Sequence, residues 1–185
     1  ATDEDNAYYI PVGHDYEGAP KQLDRDEVLK KLKPIIEKTP LIGQHLKFDR
    51  NVLANYDIHL NAIENDTMLM SYVYDPTATR HNLDAMASHY LNVKTTTFED
   101  VAGKGIKQLT FNQIPLEKAS DYAAEDADIT FRCYSHLKPA LAKTPSLEKV
   151  LHEIELPLVP VLSDMEQAGT LVNEEALKIQ SNNLG

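Results

Sequence analysis

The chain has 185 residues, room for one domain with a real core and part of a second, and its 42% hydrophobic and 25% charged residues sit near the averages for soluble globular proteins. A net charge of −11 argues against a broad basic grip on duplex nucleic acid, yet leaves open a single phosphate drawn into a metal-loaded acidic pocket. No apolar run is long enough for a membrane span, no signal peptide is visible, and the single Cys133 rules out an internal disulfide, which fits a reducing, cytoplasmic compartment.

The chain does not begin with Met, and a start in mid-strand with an end in mid-helix is what an excised piece would give. YYIPV (8–12) reads as a short strand running into the loop GHDYEGAP. Asp24 followed by Glu27 resembles a capping box for a helix over 25–38, bent by Pro34. Residues 21–50 hold eight Lys/Arg against five acids, read as a solvated helix face. LIGQ (41–44) is expected as a buried strand turning at once into a helix over 45–56, followed by a weak strand at 60–64. Next come a helix over 67–74 capped by Asp66, another over 82–91, a long Gly- and Thr-containing loop, and a helix over 116–137. Strands alternating with helices predict an α/β layered domain. After KTP (143–145) the character changes: LEKVLHEIELPLVPVLSDMEQAG is a long apolar-faced helix with two prolines, closed by Gly169. A short strand, TLV, and a helix capped by Asn173 complete the reading.

The acidic stretch DYAAEDADIT (121–130) asks which carboxylates face inward. At 100° per residue, Ala119, Ala123, Ala127, Thr130, Tyr134 and Leu137 form the core stripe, and Asp121, Glu125 and Asp128 point to solvent. Asp126 falls at the lip of that stripe, one turn beyond Tyr122. On the helix QHLKFDRNVLANYDI, Leu46, Asp49, Leu53 and Tyr56 share one face. An aspartate among leucines needs a partner, either a Lys or Arg or a metal ion, because an unpaired buried charge costs several kcal/mol. Two inward aspartates beside a tyrosine are donors suited to Mg²⁺ or Mn²⁺, though two carboxylates are too few on their own.

GQHLKFDRNVL (43–53) and YAAEDAD (122–128) closely resemble the second and third motifs of the 3′–5′ proofreading exonuclease of bacterial DNA polymerase I, in the tyrosine subclass of the ribonuclease H-like DEDD exonucleases. The likeness extends through IPVGHDY, DTMLMSYV, RHNLDAMASHYL, TFEDVAGKGIKQLTFNQI and EIELPLVPVLSDMEQAG, and so covers essentially the whole chain. It implies a ribonuclease H-like mixed sheet flanked by helices, with residues 1–143 a partial exonuclease domain and 144–185 the start of a polymerase domain leading into its thumb. By position, Asp49 and Asp126 match metal-binding aspartates for two Mg²⁺ or Mn²⁺ ions, and Tyr122 matches the tyrosine that orients the attacking water. Gln44, Lys47 and Arg80 match positions touching a single-stranded DNA 3′ end, and Phe98 an aromatic that stacks on the terminal base. Phe48 stands where some relatives have tyrosine, so a hydroxyl contact is lost there. The family's first motif, an Asp-x-Glu pair on the central strand, should precede YYIPV by some distance; Asp3-Glu4-Asp5 has the wrong terminal acid and reads as surface loop. The implied partners are DNA and the rest of the same polymerase chain, in a monomer. Rival readings are a ribonuclease D-like RNA exonuclease and a catalytically dead scaffold of the same family.

Among smaller signals, Asp66 is read as a helix N-cap, GKG (103–105) as a flexible loop whose Lys104 could approach DNA, and Cys133 as core. The seven histidines lack zinc-type spacing.

Overall fold

The computed structural model describes residues 1–3 and 6–184, so Glu4 and Asp5 of the acidic triplet lie outside the described residues. Helix α1 (Arg25–Ile36) starts where Asp24 accepts a hydrogen bond from the Glu27 amide at 3.0 Å, and it stops two residues after Pro34. Strand β1 (Leu41–Gly43) runs parallel to β2 (Ile63–Asp66), with Leu41 opposite Ile63 and Gly43 opposite Asp66. Between them lies α2 (Leu46–Ala54). The strand-to-helix turn is tight: His45 takes a left-handed φ of 61°, and a Cβ on Gly43 would meet the Leu46 side chain at 2.3 Å.

Asp66 closes β2 and caps α3 (Thr67–Tyr74), as expected, and also serves a second helix. Its carboxylate accepts from Met68 and Leu69 at 3.0 and 3.4 Å, and from the His45 and Leu46 amides at 3.1 and 2.7 Å. One side chain, 1% exposed, thus holds the starts of α2 and α3 together.

Helix α4 (Leu83–Met86) passes into a π-helical turn, Ala87–Leu91, and α5 (Phe98–Ala102) sits inside the segment expected to be loop. The long α6 (Leu116–Leu141) crosses the centre of the molecule. Its Ile129, Cys133, Leu137 and Leu141 pack with Met70 of α3, Met86, Ala87, Leu151 and Leu156, while Ile42 and Ile63 bring the strands onto the same core. Each such side chain removed from water stabilises the fold by about 1.5–3 kcal/mol. The expected single helix after residue 144 is instead α7 (Pro145–Val150), a π-helical turn (Leu151–Glu155) and α8 (Leu156–Ala168). The widened turn lies just ahead of Pro157, whose ring would otherwise press on the carbonyl of Glu153. Gly169 ends α8 with a positive φ of 68°, and α9 (Glu174–Leu184), with the Ala176 amide bonded to Asn173, is exposed throughout.

The protein is therefore α/β with helices dominant. Among the described residues its sheet has two strands. YYIPV is not a strand: Pro11 has no amide to give a ladder, and Tyr9 is engaged edge-on by Phe111 and bonded through its hydroxyl to His14 at 2.7 Å. TLV is not a strand either, since Leu171 and Val172 stand exposed with nothing to pair against. No helix among the described residues is long and apolar enough to cross a membrane.

Candidate functional site

Where β1 turns into α2, the chain opens onto a cleft of about 750 Å³ between the β1 edge and α6. Leu41, Ile42 and Leu46 wall one side, and Ala123, Ala127 and Thr130 the other. Asp49 enters from α2 and Asp126 from α6, and among the described residues these are the only charged side chains lining it. The three small residues of α6 are half-buried because they face this space, which is why the core stripe shifts toward Ile129 and Cys133.

Neither aspartate is among the ion pairs formed by the described lysines and arginines. Burial raises the Asp49 carboxyl above its ordinary value; its own amide opposes this, and the nearby Asp66 charge adds to it. Burial likewise pushes Asp126 up to about 6, against the hydrogen-bonding influence of Tyr122 and with the Asp84 and Glu125 charges adding to the rise. Tyr122 is pushed up to about 12, by burial first and then by the Asp126 charge. At neutral pH the phenol keeps its proton and can only act as a hydrogen-bonding group beside Asp126.

Two aromatic rings lie against Tyr122. The Phe98 ring, at the start of α5, stands 6.2 Å from the Tyr122 ring at 62°, and Phe111 backs Tyr122 from 6.2 Å at 53°. Gln44 lines the cleft, but its amide is committed: it donates to the His81 carbonyl at 2.9 Å and accepts from the Thr67 hydroxyl. Phe48 is 62% exposed, with its ring 6.3 Å from His45. Arg80 is exposed and does not line the cleft. Lys47 faces away, ion-paired to Glu166 of α8, and Lys104 pairs with Glu99 at 2.6 Å. Asp49, Asp126 and Gln44 therefore share one cleft, Tyr122 adjoins Asp126 and carries Phe98 against its ring, and Lys47, Phe48 and Arg80 stand outside.

Two acids expected in solvent are not there. Glu125 accepts a hydrogen bond from the Thr96 amide at 2.8 Å, and Asp128, its side chain 18% exposed, pairs with Arg132 at 3.5 Å. A helical wheel gives their angle but not the loop that comes to meet it. Asp84, also overlooked, accepts from the Thr95 hydroxyl at 2.6 Å and adds its charge to the field at Asp126. The run Thr95-Thr96-Thr97 was the signal available for this cluster.

Asp126 is half-buried, whereas Asp49, expected to be inward among leucines, is more exposed. Two hard-oxygen donors, ion-paired to no lysine or arginine among the described residues, suit a divalent ion such as Mg²⁺ or Mn²⁺, which would reverse the upward shifts by favouring the ionised forms. Among the described residues, however, no group of three or more His, Cys, Asp or Glu converges on one point.

Residues 1–142 match the family model described as 3′–5′ exonuclease. Over its whole length the chain is 53% identical to the DNA polymerase I of Pseudomonas aeruginosa, covering 21% of that protein. It is 36% identical to the DNA polymerase I of Rhizobium leguminosarum over 96% of the chain, and 35% identical to that of Chloroflexus aurantiacus over 94%, covering 18% of each. The chain thus spans about a fifth of the length of these relatives. It corresponds to their exonuclease region, and it belongs to the 3′–5′ exonuclease family of the family A DNA polymerases.

Proposed function

We propose that the parent protein is a DNA-directed DNA polymerase whose proofreading nuclease is built on this chain, and that the nuclease hydrolyses the terminal phosphodiester of a single-stranded DNA 3′ end. Water attacks the phosphorus, the bond to the 3′ oxygen breaks, and a nucleoside 5′-monophosphate leaves. The carrying observation is the acid-lined cleft itself: two carboxylates brought from separate helices, Asp126 half-buried and Asp49 more exposed, neither ion-paired to a lysine or arginine among the described residues. A half-buried carboxylate such as Asp126, left without a described lysine or arginine, is costly to keep for structure alone.

In this reading Asp49 and Asp126 hold one side of a two-ion Mg²⁺ or Mn²⁺ site. The ions, when bound, sharpen the attacking water and stabilise the leaving oxygen. Tyr122, protonated, orients that water, and Phe98 stacks on the terminal base, worth about 1–3 kcal/mol whatever the base. Gln44 holds the loop bearing Arg80 and His81, through its bond to the His81 carbonyl. The missing oxygen ligands would come from an Asp-x-Glu on a further strand of a ribonuclease H-like mixed sheet. The β1 edge facing the cleft pairs with no strand among the described residues, which supports a strand seated there. We assign residues 1–143 to the exonuclease domain and 144–185 to the start of the polymerase domain, a division supported by the family match ending at residue 142. The parent is read as a cytoplasmic monomer, with its duplex grip supplied by the rest of the polymerase, since this chain carries a charge of −11. The relatives' names, DNA polymerase I, favour DNA over an RNA substrate, and intact acids at 49 and 126 count against a dead scaffold.

Calorimetric titration of the parent polymerase with Mn²⁺ tests the assignment. Tyr122→Phe should retain the binding step while slowing hydrolysis by roughly 10- to 100-fold. Loss of Mn²⁺ binding in that variant would contradict a role confined to orienting water.

A further inference from the structure

The segment entering α5 is held by three acids, one for each residue of Thr95-Thr96-Thr97. Thr95, 6% exposed, donates its hydroxyl to Asp84 of α4 at 2.6 Å. The Thr96 amide donates to Glu125 of α6 at 2.8 Å. Thr97 closes a capping box with Asp100, giving its hydroxyl at 2.7 Å and its amide at 2.9 Å, and receiving the Asp100 amide at 3.3 Å. The next residue is Phe98, whose ring meets Tyr122 at 6.2 Å. Glu125 lies three residues beyond Tyr122 on the same helix, so one turn of α6 carries both the tyrosine and the anchor of the loop that presents the phenylalanine.

We propose that Glu125 is a positioning residue of the nuclease: by accepting the Thr96 amide it sets Phe98 edge-on to Tyr122 and so builds the aromatic wall against which the terminal nucleotide is placed. The geometry gives this carboxylate reach as well as charge. Asp84 fixes the residue before the anchor, and Asp100 fixes the one after it, so among the described residues the hydrogen bond from Thr95-Thr96-Thr97 to the tyrosine's own helix runs through Glu125. The proposal rests on the nuclease reading above.

Reach and charge can be separated. Glu125→Gln keeps an acceptor at the same distance and drops the charge; Glu125→Asp keeps the charge and shortens the arm by one methylene. In the parent polymerase, with Mg²⁺ and a single-stranded oligodeoxynucleotide, Glu125→Asp should raise KM about tenfold with kcat changed less. Glu125→Gln should stay within about twofold of the parent in both constants. Adding Glu125→Asp to Phe98→Ala should change KM no further, because the two act through one contact. Amide hydrogen exchange at Thr96 should speed up in Glu125→Asp and not in Glu125→Gln, a readout that needs no nuclease activity. The reverse pattern, both variants behaving like the parent, both being equally impaired, or additive effects with Phe98→Ala would each overturn the proposal. Full digestion by Asp126→Ala would sink the nuclease reading instead, while the Thr96 exchange would still report on the tie itself.

Discussion

The two sides of α2 treat charge in opposite ways. Toward α8 everything is paired: Lys47 meets Glu166, Arg50 donates to Ser163 and at 2.8 Å to Asp164, and Asn51 donates to Glu166 at 2.8 Å while accepting from Ser163 and Gln167. Toward the cleft, Asp49 is ion-paired to no lysine or arginine among the described residues, although two basic residues of the same nine-residue helix lie within two positions of it. The charges between α2 and α8 are neutralised where they stand. An acid of the cleft left unpaired beside such a supply of cations is what the proposed metal site would require. Asp66 sharpens the contrast, being a buried acid saturated by four amides and therefore wholly structural.

If that division is right, perturbing the saturated acids should cost stability and perturbing the unpaired ones should not. Asp66→Asn places an amide donor against amide donors at the starts of two helices, and should cost about 3 kcal/mol, read as a lower urea midpoint with an unchanged slope. Arg50→Ala leaves the buried Ser163 hydroxyl and Asp164 without their shared donor, for about 1–2 kcal/mol by the same measurement. The smallest effect has the opposite sign. With Asp126 raised to about 6 in the folded chain, above its ordinary value of 3.8, the native state binds the extra proton between those values, so this group's contribution to stability falls as pH rises from about 4 to about 6. Asp126→Asn removes that dependence, and its melting temperature should match the parent's near pH 4 and slightly exceed it at pH 8 without metal. A lower melting temperature at pH 8 would give Asp126 a structural role.

Capping and turn chemistry made much of the frame legible in advance. Asp24, Asp66 and Asn173 each cap the helix they were read to cap, and LIGQ passes directly from strand to helix. What escaped depended on neighbours distant in sequence. YYIPV has strand-forming residues, but its tyrosine is claimed by Phe111 and His14. The wheel for α6 found Asp126 at the lip but set Glu125 in solvent, because the Thr96 amide arrives from 29 residues away. Lys47, chosen by resemblance, is drawn to Glu166 on α8, a contact that no local pattern announces. In the site itself, Asp49 and Asp126 could be singled out from spacing alone, whereas their shared cleft required the fold.

The central claim is that Asp49 and Asp126 act together on a nucleic-acid end. Digestion of a frayed primer by the parent polymerase tests it most directly, with extension of a paired primer as the internal control. Asp49→Ala and Asp126→Ala should each abolish removal of the unpaired 3′ nucleotides while leaving extension nearly intact. Digestion at the parent's rate by either variant would contradict the account.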